Sequence, residues 1–496
     1  MKEKKTNHQV FAWSLVITAA IALWSLFFNS NFTTVSNTIF TFLTQKFGWL
    51  YLASMLFFVV FVIIIAFSKW GNIRLGPDDS RPEYKTVSWF AMLFGAGMGI
   101  GLVFWGISEP ISHYVEPIAG IQSATPESAE FAIKASFMNW GIHPWANYAI
   151  LGMALAYFQF RKKRPGLISS VLDPILGENK RTGIKNLVDV LAVFATVAGV
   201  QTSLCLGIFQ INSGLNYLFQ VPKTLVVQIC IIVVISAIYI WIAVAGIDKG
   251  AKAISNINLC VAVFLMIALV IVGPKVEIIN SFVNGLGDYF GSFIEDSLNI
   301  SAYGDNSWVE NWRIFYWGWW IAWAPFVGLF IARISRGRTI REFIAGVVLA
   351  PTLGSLVWFA IFGTLGIKLG QTNVLSSETL QQITTSPETG LFVVIQKYPL
   401  GIILCVVAFV FLCTSFVISA NSSTFVLSTL TSQGNLNPSN RKKILWGILQ
   451  SVLLVGMLIT GGIKPLQAIS VAAAFPFIFI MLFTCVSLVK ALRQEK

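Results

Sequence analysis

The chain has 496 residues, of which 56% are hydrophobic and 11% charged, with 17 Trp and 40 Phe. So few charges cannot cover the surface of a water-soluble chain of this length, whereas a lipid-facing surface needs no polar cover. The net charge of +12 would suit a nucleic-acid partner only if the basic residues clustered together. They lie in short segments between apolar runs, so the expected partner is a lipid bilayer and not nucleic acid.

Apolar runs of about 20 residues are long enough to cross a hydrocarbon core of roughly 30 Å. Twelve are read, at 10–28, 49–67, 88–107, 135–160, 188–218, 225–247, 257–273, 312–332, 346–368, 391–418, 443–462 and 468–489. The first lacks a small-residue cleavage site and reads as a retained span, not a signal peptide. With Lys2, Lys4 and Lys5 on the cytoplasmic side, 26 of the 34 basic residues fall in cytoplasmic segments and 8 outside. The positive-inside rule then predicts a multi-pass protein of the cytoplasmic (inner) membrane with both termini cytoplasmic.

Segments 276–311 and 371–390 mix apolar and polar positions and read as outer-face amphipathic helix plus loop. A Gly-rich segment opens a block of five spans at the third, and a Trp-rich one opens a second block at the eighth. An odd number of spans starts the second block from the opposite side of the membrane, which is the logic of an inverted repeat. The expected organisation is two peripheral helices in 1–87, a first five-helix repeat in 88–275 and an outer connector in 276–311. A second repeat follows in 312–489, then a short cytoplasmic tail, 490–496, too small for a sensor or catalytic domain. The six cysteines fall inside apolar runs without metal-ligand spacing and read as small core residues.

Three segments carry candidate chemistry. In Phe94-Gly95-Ala96-Gly97-Met98-Gly99-Ile100-Gly101 the glycines form two GxxxG pairs, which would serve close helix packing. The alternative, favoured here, is a mid-membrane unwinding that frees backbone carbonyls and admits a substrate. Glu109-Pro110 closes this span and is expected to return the carboxylate to the aqueous side.

In the eighth span, Trp317, Trp319, Trp320 and Trp323 follow Tyr316. An interfacial aromatic belt would explain them, but Trp323 lies roughly 16 Å down the helix at 1.5 Å per residue, near the midplane. In the fourth span, Trp145 and Tyr148 are one turn apart at similar depth, next to Trp140. Pro144 is expected to kink the helix there, and His143 to be a hydrogen-bonded structural residue.

Deep rings of this kind suit a trimethylammonium group. It donates no hydrogen bonds, spreads its charge over methyls, and gains on the order of 0.5–2 kcal/mol per ring face. The spans hold almost no acidic residues to balance a permanent cation, which favours a zwitterionic betaine over choline, its carboxylate received by half-helix ends at the glycine break.

The stretches 95–110, 140–148 and 315–343, including Ala332-Arg333-Ile334-Ser335-Arg336-Gly337-Arg338, resemble the betaine/carnitine/choline transporter family, and the likeness extends over nearly the whole chain. The resemblance implies an all-α, LeuT-like core of two inverted five-helix repeats, spans 3–7 and 8–12, preceded by two extra helices, and a homotrimer. It implies an aromatic box of Trp140, Trp145, Tyr148 and Trp320 around the trimethylammonium group. Trp317, Trp319, Trp323, Gly97, Met98 and Gly99 would line the pathway. No cofactor is expected.

The ion site that the resemblance implies involves Gly95, Met98, Thr196, Phe326 and Ser419. Sodium-coupled relatives carry Thr-Ser-Ala-Asp in the tenth span, where this chain reads Ile418-Ser419-Ala420-Asn421, and Val200 stands where they tend to have a second Thr. Nor is there an Arg near Asn258, where sodium-independent exchangers place a fixed charge. The coupling ion is left open between sodium symport and exchange, with sodium dependence expected to be weakened. The short tail implies no osmosensing of the kind carried by long C-terminal extensions.

Two other function classes are weighed. A sodium-coupled amino acid transporter of the same core would want polar groups for a primary ammonium, against which the tryptophans speak. A membrane enzyme would need an HExxH motif, paired carboxylates or a Ser/His/Asp set, and the sequence offers none.

Overall fold

The structure, a computed structural model, describes residues 9–97, 99–178, 180–245 and 248–495. Among the described residues the chain is helical, the only strand-like feature being an isolated antiparallel bridge between Arg74 and Thr339. In chain order the helices are α1 (Gln9–Phe27), α2 (Asn29–Phe67), α3 (Thr86–Gly97), α4 (Ile100–Val115), α5 (Pro126–Trp140), α6 (Ile142–Ala156), α7 (Ile168–Val171) and α8 (Asp173–Leu176). There follow α9 (Thr182–Phe219), α10 (Leu225–Ala245), α11 (Asp248–Val272), α12 (Lys275–Gly291), α13 (Phe293–Leu298) and α14 (Phe315–Ile334). The last are α15 (Ile340–Gln371), α16 (Ser377–Thr385), α17 (Gly390–Ile395), α18 (Gly401–Leu430), α19 (Asn440–Ile459) and α20 (Lys464–Leu492).

Ten helices among the described residues are long and apolar enough to cross a membrane. The expected spans 88–107 and 135–160 are not among them, because each is interrupted. The first is divided between α3 and α4, with Gly99 in a non-helical conformation at the start of α4. The second is divided between α5 and α6 at Gly141. A β-carbon on Gly141 would stand 2.5 Å from the Phe137 carbonyl oxygen and 2.6 Å from the Tyr289 hydroxyl, so only glycine fits this junction. This corrects the expected kink at Pro144. The proline falls in the first turn of α6, where an N–H has no helical acceptor and its loss is harmless.

Segment 29–48, expected as an outer connection, is instead the first half of α2, a 39-residue helix. Hydropathy falls there but helical periodicity persists: Phe32, Ser36, Leu43 and Thr44 are buried. Thr34 and Thr38 donate their hydroxyls to carbonyls one turn back, at 3.0 and 2.9 Å, and so keep their polar groups inside the helix. The cysteines also need correction. Cys205, Cys405 and Cys485 are buried, but Cys230 and Cys260 are exposed on the outer surfaces of α10 and α11.

Burial is uneven in a way that suits a bilayer. In α14 every residue from Phe315 to Gly328 is buried, and the helix packs on α6, α9 and α20. By contrast α1, α10 and α11 present Trp13, Val233, Val234, Phe264 and Ile267 outward, as lipid-facing helices do.

The segment between α14 and α15 pairs with residues 73–84. Arg74 donates to the Gly337 carbonyl at 2.9 Å, and Gly337 and Leu75 exchange main-chain contacts with their partners at 2.9 and 2.8 Å. Gly337 has φ +82°, and a β-carbon there would meet the Arg81 carbonyl oxygen at 2.1 Å. The Arg338 guanidinium lies 3.8 Å from the centre of the Trp89 ring. Thr339 and Glu342 then form a capping box that starts α15.

Near the C-terminus, Glu495 accepts from Arg161 Nε and Nη2 at 3.0 and 2.8 Å and from Tyr157 Oη at 2.7 Å, and pairs with Lys162 at 2.7 Å. Arg161 also donates to Gly76 O and Asp78 Oδ1. The Arg161 hydrogen bonds hold the Glu495 carboxyl down at about 2, against the opposing effect of burial. A depressed carboxyl contributes stability above its ordinary value, and that stability is lost as pH falls through the folded value. Glu495→Gln should therefore lower the melting temperature in detergent at neutral pH. The deficit relative to wild type should shrink between about pH 4.5 and pH 2, where the wild-type carboxylate itself becomes protonated.

Candidate functional site: an aromatic cluster where two broken helices meet α14

The break at Gly141 places Trp140 at the end of α5 and Trp145 and Tyr148 in the first turns of α6, while Trp320 lies within α14. All four are at most 5% exposed, so none faces lipid. Their rings form a continuous edge-to-face series. Trp140 and Trp320 are 4.8 Å apart at 72°, Trp320 and Tyr148 6.5 Å at 85°, and Tyr148 and Trp145 5.6 Å at 87°. Trp319 stacks on Trp320 at 4.7 Å and 12°.

Backbone groups pin these rings. Trp320 Nε1 donates to the Asn139 carbonyl at 2.9 Å, just before the break, and Asn147 Nδ2 donates to the Trp320 carbonyl at 2.9 Å. Trp319 Nε1 donates to the Gly199 carbonyl on α9 at 3.1 Å. Gly101 on α4 allows the rings to reach it: a β-carbon there would stand 2.9 Å from Trp319 and 3.0 Å from Trp140.

Glu109 does not return to water. It is fully buried and accepts four hydrogen bonds. Asn139 Nδ2 lies 2.8 Å and His113 Nε2 3.3 Å from Oε1; Trp140 Nε1 lies 2.7 Å from Oε2, which also accepts from the Tyr316 hydroxyl. The carboxylate thus stands at the N–H edge of the Trp140 ring. Its neighbour His113 packs against Trp312 at 4.4 Å and Trp308 at 5.1 Å. One sequence signal pointed to it: an ionisable residue within an apolar run is costly and marks a functional position by default.

The other expected site residues are placed as follows. Gly99 adjoins Ser419, whose hydroxyl would lie 3.3 Å from a β-carbon on that glycine, so the helix break faces α18 beside Ile418. Gly95 and Gly97 end α3, and Met98 lies outside the described residues. Trp323 contacts Phe326 at 5.4 Å and lies against Gly199 on α9, the helix that also carries Thr196 and Val200. The Thr196 hydroxyl donates to the Ala192 carbonyl at 2.8 Å. Trp317 is not brought to the four rings. It stacks on His143 at 4.9 Å beside the Arg313 guanidinium. His143 in turn pairs with Ser297 at 2.9 Å and stacks on Phe293, a structural arrangement. A cavity of about 400 Å³ between α5, α12 and α15, lined by Glu130, Glu277 and Lys368 among others, includes none of the four rings.

The family model described as betaine/carnitine/choline family transporter matches residues 9–496. The chain belongs to this transporter family. It is 44% identical to the glycine betaine transporter OpuD of Bacillus subtilis over 98% of its own length and 94% of that protein. It is 40% identical to the ectoine/hydroxyectoine transporter of Virgibacillus pantothenticus, over 100% of its length and 98% of the relative's. It is 36% identical to the osmo-dependent choline transporter BetT2 of Acinetobacter baylyi, over 99% of its length and 72% of that protein. The family and the names of these relatives are those of transporters, not enzymes.

The contact at Gly101 generates a test. Gly101→Leu forces side-chain atoms into the Trp140 and Trp319 rings and should cost about 1–3 kcal/mol by overpacking. Gly287→Leu, at a glycine with nothing within 4 Å, should be neutral or stabilising. Melting temperatures of the two purified variants check both.

Proposed function

We propose that the protein is a secondary active transporter of quaternary-ammonium solutes of the glycine betaine, carnitine or choline type, working by alternating access. The observation that carries the reading is the buried series Trp140–Trp320–Tyr148–Trp145, assembled from three helical segments around two interrupted helices. Ring faces attract a methylated cation that cannot hydrogen-bond, and interrupted helices supply backbone groups for a carboxylate. The rings touch one another, so solute entry requires them to part, in keeping with a gated site.

In this reading Trp140, Trp145, Tyr148 and Trp320 hold the ammonium group, and Trp319, Trp323 and the Gly97–Gly99 break line the pathway. The interrupted pairs α3/α4 and α5/α6 each make one crossing. With the ten long helices they give twelve crossings, arranged as two five-helix repeats behind two peripheral helices. Both termini lie in the cytoplasm, the protein sits in the inner membrane, and it assembles as a homotrimer, which native mass spectrometry would count. The likeness to an ectoine transporter favours a second reading of the substrate, a cyclic zwitterion with a delocalised cation, held by the same rings.

Purified protein in proteoliposomes, given radiolabelled betaine, carnitine, choline and ectoine, tests the substrate. Trp320→Ala should abolish uptake while Trp24→Phe, at a ring on α1 that pairs with Asn31 and Phe32 outside the box, should leave it intact. Uptake of glycine in place of all four solutes would defeat the reading.

The same vesicles address coupling. Ile418 and Val200 remove oxygens from the ion positions, so a sodium gradient should stimulate uptake weakly, and Ile418→Thr should raise that stimulation. Strong sodium dependence in wild type, unchanged by Ile418→Thr, would count against an ion site at Ser419.

A further inference from the structure

We propose that Glu109 is a positioning residue that holds Trp140 and Tyr316 in place and, through its negative charge, sets the preference of the site between a permanent cation and a zwitterion. This inference rests on the aromatic-box reading. It adds a residue of opposite charge to a set otherwise made of neutral rings.

The surroundings suit a carboxylate. Each oxygen accepts from an N–H donor: Asn139 Nδ2 at 2.8 Å on Oε1 and Trp140 Nε1 at 2.7 Å on Oε2. The Tyr316 hydroxyl and His113 fill the remaining positions. Ionised carboxylates accept on both oxygens and make charge-assisted hydrogen bonds about twice as strong as neutral ones. The donors come from α4, α5 and α14, so a single side chain fixes the relative rotation of three helices beside the box.

Two consequences reach the substrate. The Trp140 ring cannot turn without breaking its bond to Glu109, so its orientation toward Trp320 is set. The charge also lies beside the box, at the far end of the Trp140 N–H bond and partly balanced by the buried Arg313 guanidinium, in surroundings of low dielectric. A choline cation feels that attraction with no carboxylate of its own to oppose it. In a betaine, the attraction on the ammonium is offset by repulsion of the carboxylate, and the molecule is oriented with its carboxylate away from Glu109.

The test compares choline and glycine betaine binding to purified full-length protein, using radiolabelled ligands. Glu109→Gln keeps the size of the side chain and removes the charge. It should weaken choline about tenfold or more and betaine by no more than about threefold. Glu109→Asp and Tyr316→Phe disturb the hydrogen bonds but keep the charge. Tyr316→Phe should lose some affinity with the choline-to-betaine ratio preserved, whereas Glu109→Asp, which draws the charge back by one methylene, should weaken choline more than betaine.

A purely structural carboxylate would lower both affinities by one factor in Glu109→Gln, and that result overturns the proposal, as does no change in either. If Glu109→Gln does not fold, a loss in Glu109→Asp that is larger for choline than for betaine supports the proposal, and an equal loss for both overturns it. Wild-type protein that binds betaine but no choline also overturns it and leaves the aromatic box standing. Wild-type protein that binds neither solute defeats the box reading itself, and this inference with it.

Discussion

Indole N–H groups donating to main-chain carbonyls of other helices set the geometry of this bundle. Trp320 donates to Asn139, Trp319 to Gly199 and Trp358 to Leu102, at 2.9–3.1 Å. In a bilayer an unsatisfied backbone group costs several kcal/mol, so a helix can be interrupted only where something replaces its lost hydrogen bonds. A tryptophan serves both needs, since its single donor meets a carbonyl while its ring fills the gap between helices. The broken α5/α6 junction and the Trp-rich α14 therefore support each other through the Trp320–Asn139 and Asn147–Trp320 bonds.

Glycine supplies the complementary half. Gly106 carries no β-carbon, and that is where Trp358 inserts its Nε1; a β-carbon would stand 2.4 Å from it. Gly101 and Gly199 make the same allowance for Trp140, Trp319 and Trp323. The GxxxG packing and unwinding readings of the Gly-rich segment are thus not exclusive. Gly99 sits at the break, and Gly101, two residues later, sits under the rings.

Much of this architecture was legible in order of its physical strength. Long apolar runs and deep tryptophans act over whole segments, and they marked the membrane class, the ten uninterrupted helices and the aromatic character of α6 and α14; the grouping of Trp140, Trp145, Tyr148 and Trp320 was what the family resemblance implied. What escaped depends on contacts distant in sequence. Glu109 looked like a residue at a span's end because its donors lie 30, 31 and 207 residues away. Pro144 looked like a kink because proline disrupts helix interiors, and nothing local revealed that the helix would start at Ile142. The first half of α2 was missed because hydropathy measures affinity for lipid, while helix persistence there follows from packing at Phe32, Leu43 and Thr44. Cys230 and Cys260 were misplaced because lipid accepts a thiol as readily as a core does.

The distribution of polar links has a mechanical consequence. Bonds at Glu109, Asn139, Asn147, Trp320 and Trp358 join α4, α5, α6, α14 and α15 to one another. The polar links from this group to α9 are sparser: Trp319 to Gly199, and Gln210 to the Val103 carbonyl at 3.2 Å. Each neutral hydrogen bond contributes about 0.5–1.5 kcal/mol net, and the charge-assisted bonds to Glu109 more. Sliding the group past α9 exchanges a few weak bonds, whereas opening it internally removes a buried carboxylate from its donors. A displacement between this group and α9 therefore breaks fewer polar bonds than one within the group, and the boundary between them is where Trp323 meets Gly199.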